Sequence, residues 1–255
     1  VADRPRARSF VRTAVVWDVL RGALEERIAA GGRAVLDVLD VGGGTGGFAV
    51  PLAEFGHAVT VVDPSPDALA ALERRASEAG VTGLVRALQG DATNLLDLVP
   101  AEGVDLVLCH GVLEYVEEPR AAVADLVCVL RPGGMVSVLA ANRNAIVLSR
   151  AVGGHLAEAR HALADPDGRW GERDPLPRRF APGDLTDLLV GAGLRVLAVH
   201  GVRVFSDLVP SGIADGEPGA FDALLRLEAA AAEHPAFQAM ATQIHVLAER
   251  GLGPA

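Results

Sequence analysis

The chain contains no lysine: all 23 of its basic residues are arginine. That absence excludes Schiff-base chemistry and a lysine general base, and together with abundant alanine, glycine and valine it reads as the coding bias of a GC-rich genome. Cysteine is nearly missing as well. Two thiols in 255 residues, Cys109 and Cys128, supply no disulfide framework and no C-x-x-C pair, and both are expected in the core. His155 and His161 stand six apart, a poor spacing for a shared metal, so no metal site is expected. No run of eighteen apolar residues occurs and no signal-peptide pattern follows Val1, which predicts a soluble, cytoplasmic protein without a membrane partner. A start at Val1 instead of Met reads as a trimmed or partly disordered beginning. Positive charge is also scarce: 33 acidic residues leave a formal charge of −10. Nucleic-acid binding relies on arginine and lysine neutralising phosphates, so this balance argues against a wide RNA footprint while leaving room for a local patch. The arginines that would make one cluster at Arg4, Arg6, Arg8 and Arg12 and again at Arg143, Arg150, Arg160, Arg169, Arg173, Arg178 and Arg179, where an ordinary solvated surface is the competing reading.

What is present is a large apolar fraction, 50% of the residues, enough for one α/β domain with a substantial core and an elaborated cap. The apolar run Val35 to Val41 passes straight into Gly42-Gly43-Gly44-Thr45-Gly46-Gly47 and then into Phe48, Ala49, Val50 and Leu52 at helical spacing. This is the pattern of strand, tight turn and helix that opens an α/β sheet. The frame from Asp40 to Gly46 is DxGxGxG, which differs from the dinucleotide GxGxxG in spacing and in its leading acid. A second strand, 58–62, ends in Asp63, about twenty residues past the glycines, where an acid can accept hydrogen bonds from a ribose diol. A third strand, 84–89, ends at Gly90-Asp91-Ala92, and a fourth, 104–109, ends at His110. In open parallel sheets ligands bind outside the carboxyl ends of strands, so Asp40, Asp63, Asp91 and His110 are expected to share one crevice.

The order DxGxGxG, Asp63, Gly90-Asp91-Ala92 and then Leu130-Arg131-Pro132-Gly133-Gly134 before a fifth strand resembles the class I S-adenosylmethionine-dependent methyltransferases. The resemblance covers roughly residues 34–140. It implies a Rossmann-like, doubly wound α/β fold: a mostly parallel seven-stranded sheet, its last strand antiparallel, with a helical cap. It implies S-adenosyl-L-methionine as cofactor, with Gly42, Gly43, Gly44 and Gly46 beneath its methionine part, Asp63 on the ribose hydroxyls, and Asp91 with Ala92 beside the adenine. A closer likeness is carried by His110-Gly111-Val112-Leu113-Glu114-Tyr115-Val116, Gly201-Val202-Arg203-Val204-Phe205 and Ile244-His245-Val246. With Leu130 to Gly134 these segments look like the bacterial tRNA methyltransferase family that esterifies 5-carboxymethoxyuridine at the wobble position. That family implies a cofactor contact from Arg12 and places His110 after the fourth strand.

The remaining segments are expected to form one domain over 1–255: a cap helix over 9–30 laid on the cofactor mouth, a cofactor-binding core over 34–141, a cap insertion over 142–182 and completion of the sheet over 183–250. Within these, a helix is expected over 144–163, a turn-rich lid with Trp170 over 165–182, and a long strand over 194–204 beside 243–248, with helices 220–233 and 236–241 between them. The reaction asked of such a site is displacement at a methyl group already activated by a sulfonium, so alignment dominates. A carboxylate acceptor is ionised at neutral pH and needs no base. A phenol or amine needs a proton sink, for which the candidates are His110, Glu114, Tyr115 and His155, although His110 reads first as a neutral ring packed against or hydrogen bonding to the cofactor. Arg203, alternating with Val202 and Val204 along a strand, needs an anion. Two readings stand: a structural ion pair to an acid such as Asp207 or Glu114, or a fork onto a substrate carboxylate. The acceptor is therefore expected to be tRNA or a small acid, phenol or amine, with a non-catalytic cofactor-binding regulator as the reading from another class. Nothing in the sequence fixes the oligomeric state.

Overall fold

The computed structural model describes residues 4–31, 33–210 and 219–252. Seven strands, β1 (Asp37–Val41), β2 (Ala58–Asp63), β3 (Val85–Gln89), β4 (Val104–His110), β5 (Leu130–Ala141), β6 (Leu194–Val202) and β7 (Gln243–Arg250), form one sheet in the order β3-β2-β1-β4-β5-β7-β6. It is the expected mixed sheet, six strands parallel and the last antiparallel. Among the described residues the helices are α1 (Arg4–Gly31), α2 (Ala49–Glu54), α3 (Pro66–Glu78), α4 (Leu95–Leu98), α5 (Pro119–Val129), α6 (Arg143–Val152), α7 (Leu156–Ala164), α8 (Pro182–Gly191), α9 (Ala220–Ala232) and α10 (Pro235–Gln238). The side chains of Arg4, Arg6, Arg8 and Phe10 lie outside the described residues. No described helix is long and apolar enough to cross a membrane.

The chain divides into two compact units. The first comprises Val1–Glu25, Ala140–Leu185 and Val199–His245, and the second Glu26–Leu139, Thr186–Ala198 and Val246–Ala255. In the second unit β4 is buried from Val104 to Cys109, as a central parallel strand covered on both faces must be. Its one charged member, Asp105, lies at the strand's amino end, where Arg131 donates to it at 2.7 Å and the Asp37 amide at 3.0 Å. Arg131 also pairs with Asp37 at 2.8 Å. The polar end that satisfies these charges is thus the end away from the glycine turn. Register does the rest: Val41 pairs with Val62 and Cys109, Val62 with Leu88, and Cys109 with Val138. The strands therefore finish on one rung, and the next residues along, Gly42, Asp63, Gln89 and His110, form one row. Helix α3 is capped by the Ser65 hydroxyl, which accepts from the Ala68 amide at 3.3 Å, with Pro66 in its first turn. It buries Leu69, Leu72 and Ala76 at helical spacing; full burial of a leucine such as Leu72 contributes roughly 1.5–3 kcal/mol.

Four expectations are corrected. The helix expected over 144–163 is two helices, because Gly153 and Gly154 end α6, Gly154 taking a left-handed φ of 80° that a β-carbon disfavours. The strand expected to reach 204 stops at Val202, and Arg203 adopts φ 60°, so it sits in a turn and not on a pleat. The last inserted helix is a single turn, Pro235–Gln238, and not a helix reaching residue 241. Cys109 is buried, but Cys128 is exposed: α5 buries Ala122, Val123, Leu126 and Val129, and Cys128 falls between those positions on the other face.

Candidate active site

In the second unit the strand order reverses between β1 and β4, and a crevice of about 390 Å³ opens there, lined by Gly42, Asp63, Asp91, Ala92, Val112 and Tyr115 among others. Local bonds shape its floor. The Gly42 amide donates to Val62 at 2.7 Å, Gly46 to Gly43 at 2.9 Å, and Gly44 to one oxygen of Asp63 at 2.9 Å, while the Ser65 amide takes the other oxygen at 2.9 Å. Asp63 thus clamps the glycine turn to the end of β2. Gly46 could not be another residue without rearrangement: its φ is 79°, and a β-carbon there would strike Leu72. Beneath the turn Asp40 is buried, and a β-carbon at Gly43 would meet its carboxylate at 2.5 Å. Burial, then the neighbouring Asp63 charge, push the Asp40 carboxyl up to about 7, and its Oδ2 is buried with no hydrogen-bond partner. Asp91 is held below the usual carboxylate range by the hydroxyl and amide of Thr93.

His110 follows β4. Its Nε2 lies 2.8 Å from the Ser137 hydroxyl, and the edge of Phe48 approaches with ring centroids 4.7 Å apart. Desolvation lowers its pKa to about 3, so the ring is neutral at physiological pH. Residues 111–116 form turns, with the Tyr115 amide donating to the Val112 carbonyl at 2.9 Å. The Tyr115 side chain is 61% exposed and Glu114 is buried. Burial pushes the Cys109 thiol far up, leaving it inert.

The first unit holds a different cavity, of about 490 Å³, lined mainly by apolar side chains such as Ile146, Leu176, Phe237 and Met240 and by the polar Arg179, Arg203, Asp207 and Thr242. Arg179 is committed to Asp174: it forks onto that buried carboxylate at 2.7 and 2.9 Å and donates to the Gly168 carbonyl. Arg203 pairs with Asp207 at 2.6 Å, but its Nε is buried with no hydrogen-bond partner. The turn that carries it is pinned by Glu228, a buried carboxylate that accepts from the amides of Val204, Phe205 and Ser206 at 2.8, 2.9 and 2.6 Å. Arg12, expected at a cofactor, reaches Asp207 at 3.6 Å. The candidates therefore gather into two sets, Asp40, Gly42 to Gly46, Asp63, Asp91, Ala92, His110 and Tyr115 in the second unit, and Arg12 with Arg203 in the first.

A methyltransferase domain family model matches residues 39–138, the stretch that builds the glycine turn and the crevice. Over 240 residues the chain is 30% identical to the tRNA 5-carboxymethoxyuridine methyltransferase of Escherichia coli K12, a match covering 94% of this chain and 88% of that protein. The chain belongs to the S-adenosylmethionine-dependent methyltransferases. A ubiquinone biosynthesis O-methyltransferase from Methylocella silvestris is also 30% identical, over 81% of this chain and 80% of its own. The crystal structure of an S-adenosylmethionine-dependent methyltransferase from Mesorhizobium loti shares the fold, with TM-score 0.58 and 19% identity over 92% of this chain and 98% of that one.

Sequence reasoning missed several residues of this methyltransferase. Thr93 carried a signal, since Asp-x-Thr after a strand is a turn in which the acid accepts from the residue two on. Glu228 carried a fainter one: an acid in the stripe of Ala231 and Ala232, three and four residues away, lies on the buried face of α9. Asn142 carried none, yet its side chain donates to the Gln238 and Ala239 carbonyls at 3.1 and 3.2 Å and so fixes one wall of the cavity.

Proposed function

We propose that this methyltransferase esterifies a carboxylate, and that the carboxylate belongs to a 5-carboxymethoxyuridine of tRNA. The observation that carries the reading is the buried, unpartnered Nε of Arg203 at a mainly apolar cavity. Leaving such a donor unsatisfied costs about 1–3 kcal/mol, and a planar carboxylate that forks onto the guanidinium removes the cost. The likeness to the E. coli tRNA enzyme over nearly the whole chain supports the acceptor.

The crevice fits the cofactor by its donor set. An orphaned, buried acceptor on Asp40 suits the cationic methionine end, and the residues at the strand ends present carboxylates and backbone with no guanidinium among the lining residues. We assign Gly42, Gly43, Gly44 and Gly46 to the methionine part, Asp63 to the ribose and Asp91 with Ala92 to the adenine, with Arg12 and His110 as further contacts. Asp63 already accepts two amides, and a carboxylate has capacity for further donors. Bound S-adenosylmethionine supplies a methyl group activated by its sulfonium. The chain's part is to orient: Arg203 holds one acceptor oxygen, and desolvation sharpens the alignment on which the rate depends. A histidine titrating near 3 is a poor proton sink at neutral pH, so His110 and the exposed Tyr115 act as walls, which a carboxylate acceptor allows.

A second reading, a small acid as acceptor, is favoured by the arginines of the cap. Arg143, Arg150, Arg178 and Arg179 pair with Asp184, Glu158, Asp167 and Asp174, so they are not free for phosphates, and the formal charge is −10. Labelled cofactor offered with bulk tRNA and, separately, a small-molecule extract decides. Label in tRNA that mild alkali releases, as an ester's methyl is released, supports the first reading. Label only in the extract moves the acceptor to the second, and alkali-stable label ends the carboxylate reading. Arg203→Met should abolish transfer while leaving cofactor affinity unchanged by calorimetry.

A further inference from the structure

Arg203 already has a carboxylate beside it. Asp207 Oδ2 receives the Arg203 Nη2 at 2.6 Å and the Thr242 hydroxyl at 3.0 Å, while its Oδ1 lies 3.6 Å from Arg12 Nη2. Two guanidiniums and a hydroxyl thus bracket one acid, and the group carries one positive charge in excess. The fit is incomplete. The Nε–H and one Nη2–H form the edge of a guanidinium that matches both oxygens of a carboxylate, yet Asp207 uses only Nη2 and leaves Nε buried without a partner. Geometry explains why. Arg203 and Asp207 are four residues apart, the backbone at Arg203 is left-handed at φ 60°, and the three following amides are held by the buried carboxylate of Glu228. In this arrangement the second oxygen of Asp207 faces Arg12 and not Nε.

We propose that Asp207 is a resident carboxylate in the acceptor's anion slot, and that the acceptor displaces it from Arg203 by gripping both donors of the guanidinium edge. The inference rests on the reading that the acceptor carries a carboxylate. Released Asp207 has Arg12 to receive it, so two cations then face two anions. A neutral or amine acceptor offers nothing that displaces Asp207, and Arg203 stays engaged. Asp207 is therefore a positioning residue that sets selectivity for carboxylates.

Acetate serves as the probe, with acetamide as the neutral control, on the full chain labelled with nitrogen-15 and followed through the Nε–H resonance of Arg203, which is identified by its loss in Arg203→Met. The resonance should shift with acetate and not with acetamide. A slot released from its resident competitor binds more tightly in proportion to the fraction freed, so Asp207→Asn should lower the half-saturating acetate concentration by about three- to tenfold. Asp207→Glu should restore the wild-type value, and Thr242→Val, which removes one anchor of Asp207, should move it in the same direction as Asp207→Asn. Cofactor affinity should not change in Thr242→Val, which leaves the pair of Arg12 with Asp207 in place. If Asp207→Asn or Thr242→Val leaves acetate binding unchanged or weaker while Arg203 still responds, Asp207 is a support and not a competitor, and the displacement is wrong although the carboxylate reading stands. If Arg203 is silent to acetate in the wild type and in every folded variant, the carboxylate reading itself falls.

Discussion

The crevice at the ends of β1 to β4 and the cavity around Arg203 are built from opposite chemistry. Among the residues lining the crevice the charged side chains are Asp63, Asp91 and Glu117, with Asp40 buried beneath, and the glycine turn supplies backbone. Among those lining the cavity, apolar side chains surround two arginines and one acid, and one of the arginines is already committed to Asp174. Carboxylates and bare backbone suit a cationic, hydroxylated ligand, and a guanidinium in an apolar wall suits an anion. The two sites also differ in how they are held. Bonds between near neighbours and adjoining strand ends set the crevice, whereas the cavity depends on pairs far apart in sequence: Glu228 with residues 204–206, and Asn142 with Gln238 and Ala239.

That difference is sharpest at Glu228. Glu228→Gln keeps the shape but replaces one accepting oxygen by a donor facing backbone amides, and the loss of charge-assisted bonds in a buried site should lower stability by about 2–4 kcal/mol. Denaturant melts would measure it. Transfer should fall through acceptor KM, with cofactor affinity unchanged; a loss of cofactor affinity equal to the loss of transfer would show that the two sites are not separately supported.

The same contrast explains what was legible in the sequence. The glycine turn, Asp63 and Asp91 announce themselves because strand, turn and acid are adjacent in the chain and each follows its own local pattern. Apolar runs marked the individual strands, and the seven-stranded sheet with its antiparallel last strand came from the resemblance to the methyltransferases. Arg203 was legible as an arginine needing an anion, and its pairing with Asp207 was one of the two readings, but its backbone was not. An alternating pattern of Val202, Arg203 and Val204 reads as pleat, and only a carboxylate on a helix two dozen residues further along turns it into a left-handed corner. Cys128 was misplaced because an apolar residue type within a helix does not state its face.

On the crevice side, Asp63→Ala removes the clamp on Gly44 as well as the assigned ribose partner. Cofactor binding should weaken by about 1–3 kcal/mol by calorimetry, while transfer at saturating cofactor stays near the wild-type rate. Unchanged affinity would sink the assignment. Asp40 predicts a pH dependence of slightly smaller size. Its folded pKa of about 7 lies above the ordinary carboxyl value, so the folded chain binds more protons and Asp40 costs stability progressively as pH rises from about 4 to 7. A cationic ligand beside it reverses the penalty by favouring the ionised form, so cofactor affinity should rise about tenfold between pH 6 and pH 8, and Asp40→Asn should flatten the rise. A wild-type affinity independent of pH over that range would place the cationic end of the cofactor away from Asp40.

The smallest effect tests whether the cap's arginines belong with the cavity or with a nucleic-acid surface. The Arg150 guanidinium lies 3.9 Å from the ring centroid of Trp170 and 3.1 Å from Glu158, which accounts for it within its own unit. Arg150→Gln should therefore lower stability by about 0.5–1 kcal/mol, the size of a part-exposed cation–π contact. It should leave the dependence of tRNA affinity on salt as it was. Arg160 and Arg173 are exposed, with no ion pair to an acid among the described residues, and they are the better candidates for phosphate contacts. Replacing either by glutamine should reduce the slope of log affinity against log salt by about one if it meets a phosphate. A reduced slope in Arg150→Gln would mean that Arg150 leaves Trp170 and Glu158 for the RNA, and the acidic partners of Arg143 and Arg178 would then be resting positions of a basic surface instead of its permanent neutralisation.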